Sequence, residues 1–337
     1  MNSRKIIVTD PTLRDGSHAC SHQITEEQLL AYATSADESG VDYIEVGHGN
    51  GLGASSLQLG ENLIEEKRML TLARSVIKKS KMSVHVMPGF ATIEREIKQA
   101  MNVGVDLFRI GSHCTEADIT MRHINYVREQ GKEVWGILMM THMASKEILL
   151  EEAQKMQSYG AQAIVLMDSA GAYLPDDVAS KIGHLVTNLF IPVGFHAHNN
   201  IGLSVANSLT AINVGATIVD ATSCGFGAGA GNTPLELLAA AMYQLKLESN
   251  LDLYKVLDTS DLARELFAKT LPFSNSTTIV SGITGIFSGF SKIVVRISKE
   301  LKVNPKDVFF ELGRRKVIGG QEDLILEVAT ELSKKNH

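Results

Sequence analysis

The chain has 337 residues, and its 32 lysine and arginine residues against 38 aspartate and glutamate residues give a net charge of −6. Since 44% of the residues are hydrophobic and 21% are charged, the chain can bury a full core, which excludes bulk disorder. The mild acidity argues against nucleic acid as a partner, and no apolar stretch approaches the roughly 20 residues that cross a bilayer, so we also expect no membrane partner.

The N-terminus and the cysteines predict a cytoplasmic location. Met1 to Asp10 leads straight into a strand-like run without the apolar core of a signal peptide. Cys20, Cys114 and Cys224 are odd in number and irregularly spaced, which is typical of reduced thiols.

Short β-branched runs recur at regular distances over the first 220 residues or so, separated by about 23 to 41 residues, the length of a strand plus a crossover helix. The predicted strands, in chain order, are Ile6–Asp10, Tyr43–Gly47, Val84–Met87, Leu107–Gly111, Val134–Met139, Ala163–Asp168, Val193–His196 and Ile218–Asp220.

Helical patterns lie between these runs. They include Thr25–Ser39, Gly60–Lys79, Lys146–Tyr159 and Leu203–Val214. Thr25 with Gln28 resembles a capping box, which predicts where the first helix begins. Glycines end several helices, where a left-handed cap is favoured, namely Gly40, Gly104, Gly131, Gly160 and Gly215.

Eight strand–helix units in a row predict an α/β fold of the (β/α)₈ TIM-barrel type. An open doubly wound sheet is the less favoured alternative, since it usually has fewer strands. After about residue 265 no comparable strand occurs, and Ile293–Leu301 and Gln321–Lys335 have amphipathic helical patterns. We therefore predict a barrel over residues 1–265 and a helical C-terminal domain over residues 266–337.

Polar residues follow the first and seventh strands, where the open mouth of a barrel is built. His196 and His198 are two residues apart, so their side chains share one face of the strand and make half of a metal site. Asp15 can complete a set of two histidines and one carboxylate that leaves positions open for substrate. A pair of core histidines and a turn-capping aspartate are the structural alternatives.

Near Asp15 lie further candidates for catalysis. Arg14 suggests a fixed guanidinium that faces an oxyanion, although a surface salt bridge would explain it as well. His18 is a plausible general base because the ordinary pKa of histidine is close to neutral. His22 is an alternative base and His48 a weaker one.

Two loops suggest anion binding. Ser169, after the sixth strand, can hydrogen-bond a carboxylate or simply belong to a turn. The glycine-rich loop Gly225–Asn232 fits a relaxed dinucleotide fingerprint, but it follows the eighth strand rather than the first. A backbone-amide cradle for an anion, or a lid hinge, is the better interpretation.

Together these motifs resemble the metal-dependent aldolases and lyases that share a barrel with hydroxymethylglutaryl-CoA lyase, and within them the 4-hydroxy-2-oxovalerate aldolases. The segments that carry the resemblance are Thr12–His18, Ile44–Ser56, Leu138–Ala144, Asp168–Ala172, Gly194–Asn200, Gly225–Glu236 and Glu311–Asp323.

The resemblance implies cleavage of a 4-hydroxy-2-oxo acid to pyruvate and a short aldehyde. It implies that Asp15, His196 and His198 bind a divalent metal, most often Mn²⁺, with Mg²⁺ or Co²⁺ as other choices. Arg14 would hold the pyruvyl oxygen and His18 would be the base. It also suggests an acylating aldehyde dehydrogenase as partner, while a homodimer is an equally simple use for the C-terminal helices.

One departure from the family concerns substrate binding. Family members carry a tyrosine that positions the substrate hydroxyl. The segment Gly282–Ser288 corresponds to the family segment that contains this tyrosine, which places Ile283 at the tyrosine position as a substrate-binding residue. This change keeps open a degenerate, non-catalytic subunit. A Claisen-type acyltransferase or lyase on the same scaffold is a second alternative, although the roughly 70 residues after the barrel are few for a regulatory domain.

Overall fold

In the computed structural model, which describes residues 5–267 and 269–335, eight parallel strands form a closed barrel in the order β1 to β8. The strands are β1 Ile7–Asp10, β2 Tyr43–Glu45, β3 Lys81–Val86, β4 Leu107–His113, β5 Glu133–Met139, β6 Ile164–Asp168, β7 Val193–Ala197 and β8 Ile218–Asp220. β1 pairs with both β2 and β8, which closes the barrel. The predicted TIM barrel is therefore confirmed. Residues 1–4, which belong to the segment from which we predicted the absence of a signal peptide, lie outside the described residues.

Helices surround the barrel and continue beyond it. They are α1 Glu26–Glu38, α2 Glu66–Val76, α3 Lys98–Val103, α4 Met121–Glu129, α5 Lys146–Ser158, α6 Pro175–Asn188, α7 Ser204–Asn213, α8 Leu235–Gln244, α9 Leu253–Phe267, α10 Ser276–Thr284, α11 Ser291–Glu300, α12 Pro305–Arg314 and α13 Asp323–Lys335. Within the described ranges, no helix is both long and apolar enough to span a membrane.

Local signals place the helix ends as predicted. Thr25 and Gln28 form the capping box at the start of α1. The five glycines predicted to end helices all have positive φ, and α3 ends at Gly104 with φ of 99°. The predicted helix Gly60–Lys79 begins too early, since α2 begins at Glu66. The reason is that Glu65 caps α2 by accepting hydrogen bonds from the Lys67 and Arg68 amides.

The barrel interior has an apolar layer below a charged one. Side chains two residues apart on a strand point the same way, so an apolar residue is followed by a charged one nearer the mouth. The successive pairs are Tyr43 and Glu45 on β2, Leu107 and Arg109 on β4, and Ile218 and Asp220 on β8. This alternation places buried charges directly under the predicted site.

The C-terminal helices have a core of their own. Apolar residues from α10 to α13 pack into one cluster that includes Val294, Phe309 and Val328. Phe267, at the end of α9, belongs to the barrel core instead. The division at residues 265 and 266 stays a prediction.

Candidate active site

The three predicted metal ligands lie together at the mouth of the barrel. Asp15 starts a turn of 3₁₀ helix, Asp15–His18, after β1, His196 lies on β7, and His198 follows that strand. One ligand atom from each of the three lies within 4.8 Å of the others, and all three residues are buried. The register that pairs β7 with β8, and β8 with β1, brings these distant segments together.

The donor atoms suit a divalent cation. Among the described residues, His196 Nε2 and His198 Nδ1 are buried without a hydrogen-bond partner. His196 Nδ1 lies 2.9 Å from Asp220 Oδ2, so the second ring nitrogen is held by a carboxylate, as is common for metal-binding histidines. Burial lowers the pKa of His198 to about 3, which keeps its imidazole neutral. Two imidazoles and one carboxylate form a set that can hold a metal ion.

Asp15 is fixed by two neighbours and kept ionised. Arg14 Nη1 donates to Asp15 Oδ1 at 2.8 Å, and Asn232 Nδ2 donates to Asp15 Oδ2 at 2.6 Å. Burial would raise the pKa of Asp15, but the Arg14 guanidinium and then His198 and His196 outweigh it and hold this pKa well below its usual range.

Buried ion pairs connect Arg14 with His196, one of the three predicted metal ligands. Arg14 Nε donates to Glu45, whose other oxygen accepts from Arg109 Nη1 at 2.7 Å. Arg109 Nη2 donates to Asp220, which also contacts His196. Burial would raise the pKa of Asp220, but Arg109 outweighs it, so this carboxyl stays ionised. One array of charges therefore orients both the arginine and the histidine.

Arg14 has one guanidinium nitrogen without a partner. Its Nη1 also donates to the Gly49 carbonyl at 3.2 Å, while its Nη2 is buried without an acceptor among the described residues. A buried guanidinium nitrogen without a partner is costly, so it indicates a position where an oxyanion belongs. This contradicts the alternative of a surface salt bridge, because Arg14 is only 3% exposed.

His18 lies at the end of the 3₁₀ turn, beside two other histidines. Its ring is 5.1 Å from that of His22 and 6.5 Å from that of His48, measured between centroids. A Cβ at Gly49 would come within 2.4 Å of His18 Nε2, so the glycine leaves room for the ring. Burial lowers the pKa of His18 below that of an ordinary histidine, although Asp15 opposes this shift.

The other two histidines are more occupied by hydrogen bonds. His48 uses both ring nitrogens, with the Gly60 carbonyl at 3.0 Å and the Asn50 amide at 3.1 Å. His22 Nδ1 lies 3.0 Å from Ser17 Oγ, and burial lowers the pKa of His22 to about 2. Hydrogen bonds therefore hold the rings of His22 and His48, and His18 stays the predicted base.

The structure does not place the side chains of Ser169 and Ile283 where they are free to contact a substrate at the site. The Ser169 hydroxyl is fully buried and accepts the Met140 amide hydrogen at 3.0 Å, so it links strand ends rather than facing a carboxylate. Ile283 is 61% exposed on α10. Within Gly282–Ser288, Ser288 contacts the barrel by donating to the Ser169 carbonyl and accepting from Asn200, and the Gly285 carbonyl lies 2.8 Å from His142 Nε2.

Several residues of the site were missed in the sequence. Glu45 ends β2 and Asp220 ends β8, and both lie in predicted strands. Like Arg109, each is a charged residue in an otherwise apolar run, which is a signal that we did not use. Asn232 carried no local signal, because its contact with Asp15 joins residues 217 positions apart.

Known proteins match the chain from end to end. The HMGL-like family matches residues 5–263, and the DmpG-like communication domain matches residues 272–334. A 4-hydroxy-2-oxovalerate aldolase of Pectobacterium atrosepticum is 55% identical over 334 residues, which cover 99% of this chain and 97% of the relative. The chain belongs to the 4-hydroxy-2-oxovalerate aldolase family.

A second member of this aldolase family, from Spirochaeta aurantia, is 52% identical over all of this chain and 98% of its own length. The carboxyl transferase domain of Rhizobium etli pyruvate carboxylase, solved with pyruvate and biocytin, superposes with a TM-score of 0.84 at 15% identity. The superposition covers 99% of this chain and 61% of the carboxyl transferase chain, and it shows that the two proteins share a fold. The prediction of a carbon–carbon lyase of the aldolase type is confirmed, in preference to the acyltransferase alternative.

Proposed function

We propose that the chain cleaves a 4-hydroxy-2-oxo acid of the 4-hydroxy-2-oxovalerate type to pyruvate and a short aldehyde. The observation that carries this proposal is the position of two partnerless imidazole nitrogens and the Asp15 carboxylate beside the free Nη2 of Arg14. Asp15, His196 and His198 would hold a divalent metal, Mn²⁺ by family resemblance or else Mg²⁺ or Co²⁺. When bound, such a cation supplies Lewis-acid stabilisation of an oxyanion.

His18 and Arg14 have separate tasks in this reaction. His18 accepts the proton of the C4 hydroxyl while the C3–C4 bond breaks and C4 becomes the aldehyde carbon. The electron pair of the broken bond passes to the 2-oxo group as an enolate, and Arg14 Nη2 donates a hydrogen bond to that oxygen as its charge grows. Return of one proton to C3 gives pyruvate. Ser169 and Ile283 have no direct part in this scheme.

The test of this function uses the purified full chain. After removal of metal, we expect no pyruvate from 4-hydroxy-2-oxovalerate, and we expect Mn²⁺ to restore both pyruvate release and exchange of the pyruvate C3 protons with deuterium. The exchange excludes a degenerate subunit, because such a subunit would exchange nothing. Full turnover by the metal-free protein would contradict the proposal.

Asp220→Asn should weaken metal binding without removing a ligand. Asp220 orients His196, and loss of a carboxylate partner of this kind typically lowers metal affinity about 10- to 100-fold. The measurement is calorimetric titration with Mn²⁺. Asp258→Asn, at an exposed carboxylate on α9, serves as the control and should bind as the unmodified protein does. Equal affinity of both variants would show that Asp220 does not support the site.

We propose that residues 272–334 contact an acylating aldehyde dehydrogenase that receives the aldehyde. The match of this segment to the DmpG-like communication domain supports an association with such a partner. A second copy of the chain is the other candidate for contact with this segment, since Phe310 and Leu326 are apolar and more than half exposed.

We also propose a cytoplasmic location, which the unpaired state of Cys20, Cys114 and Cys224 supports.

A further inference from the structure

A cavity of about 760 Å³ opens beside His18, between the barrel mouth and the C-terminal helices. Its walls include His18 and His22, the glycine loop at Gly227–Gly229, and residues of α10 and α11. The metal-binding cluster lies outside these walls, with His18 as the base between the two regions. A cavity of this size accommodates a ligand far larger than a two-carbon aldehyde.

The lining of this cavity is positively charged. Lys269, Lys292 and Arg296 line it, and none of the described residues in its walls is an aspartate or a glutamate. This is unusual in a chain whose net charge is −6. By contrast, Arg315 in the same C-terminal region is neutralised by ion pairs with carboxylates such as Glu311.

The three cations are not equivalent. The Lys292 ammonium donates to the carbonyls of His18 at 2.8 Å and Ala19 at 2.7 Å, and lies 3.0 Å from Ser21 Oγ. Its three protons are therefore used, and it contributes charge alone. Arg296 and Lys269 have no hydrogen-bond or ion-pair partner in the described part of the chain, so their donors are free for a ligand.

The glycine loop provides a second, independent indication. The backbone amides of Gly227, Ala228 and Gly229 have no acceptor within the described ranges, and Gly227 and Ala228 are buried. Buried amides without partners are rare in folded proteins, and successive free amides in a loop form a concave site for an anion. A Cβ at Gly227 would lie 2.5 Å from Asn232 Nδ2, so the loop also adjoins the residue that fixes Asp15.

We propose that this cavity binds the aldehyde half of the substrate, and that this half ends in an anionic group, a carboxylate or a phosphate. This inference rests on the proposed retro-aldol function and specifies its substrate class. The free amides and the donors of Arg296 and Lys269 bind the terminal anion, while the 2-oxo acid end lies at Arg14 and the metal ligands. The volume leaves room for several carbons between the two ends.

The experiment compares three substrates with the metal-loaded full chain. They are 4-hydroxy-2-oxovalerate, 4-hydroxy-2-oxoheptanoate with a longer neutral end, and 4-hydroxy-2-oxoheptanedioate with a terminal carboxylate. We expect kcat/KM for the diacid to exceed that for the neutral heptanoate by about tenfold or more, the scale of one charge-assisted hydrogen bond. Added salt should reduce this ratio, because it screens partly exposed charges.

Variants test which residues cause the preference. In Lys269→Gln/Arg296→Gln the ratio of the two kcat/KM values should fall towards one, and in Lys299→Gln, a change at another exposed lysine of α11, it should stay as in the unmodified protein. Inorganic phosphate and acetate are then compared as competitors against the diacid, and the stronger competitor identifies the kind of anion.

The possible results separate the two proposals. If the neutral substrates are cleaved and the diacid has no advantage, or if the double variant keeps the advantage, the anion site is wrong while the retro-aldol function stands. If none of the three substrates yields pyruvate, both proposals fail. The comparison of substrates on the unmodified protein needs no variant, so it remains decisive even if the double variant does not fold.

Discussion

His198→Ala abolishes metal retention and pyruvate release together, with activity reduced by at least about a thousandfold. The reason is that the substitution removes one of three ligands, and the Lewis acid that they hold contributes several kcal/mol to stabilising the transition state. The fold should persist, because His198 Nδ1 has no hydrogen-bond partner among the described residues to lose.

The measurement is metal content after dialysis, with pyruvate release from 4-hydroxy-2-oxovalerate and circular dichroism on the same samples. His184→Ala, on α6 and away from the site, is the matched control and should retain both metal and activity. A His198→Ala protein that turns over at the full rate without metal would refute the ligand assignment.

His18→Ala has a different expected signature. It should lower kcat by about 10²- to 10⁴-fold, the usual contribution of a general base, while metal content and pyruvate binding stay unchanged. Burial lowers the pKa of His18 below the value of about 6.5 that is ordinary for histidine. The base therefore stays deprotonated to a lower pH, and we expect the unmodified protein to stay active to that lower pH. The acidic limb of the kcat profile should disappear in the variant.

His22→Ala distinguishes the two candidate bases. Because His22 Nδ1 is engaged by Ser17, we expect a much smaller loss of kcat than with His18→Ala, and an acidic limb that persists. If His22→Ala has the larger effect, the roles of the two histidines are reversed. If His18→Ala loses its metal, His18 has been confused with a ligand.

Predictions from local patterns agree with the structure where one segment is enough to specify the outcome. The eight strand runs, the capping box of Thr25 and Gln28, and the spacing of His196 and His198 are read over a few residues. The substrate contacts predicted for Ser169 and Ile283 depended on where loops lie in space. The structure shows Ser169 bound to the Met140 amide and Ile283 exposed on α10.

The sequence by itself determined the barrel, the family and the residue types of the candidate metal site, because alternation along strands and short motifs are local properties of the chain. Only the tertiary structure decided that Glu45, Arg109 and Asp220 join Arg14 to His196. It also decided that a cavity opens beside His18 with three cations and no carboxylate among its described lining residues. Barrel closure makes neighbours of residues more than a hundred positions apart, such as Arg109 and Asp220. Burial then fixes their charges and leaves selected donors, such as Arg14 Nη2, free for a ligand.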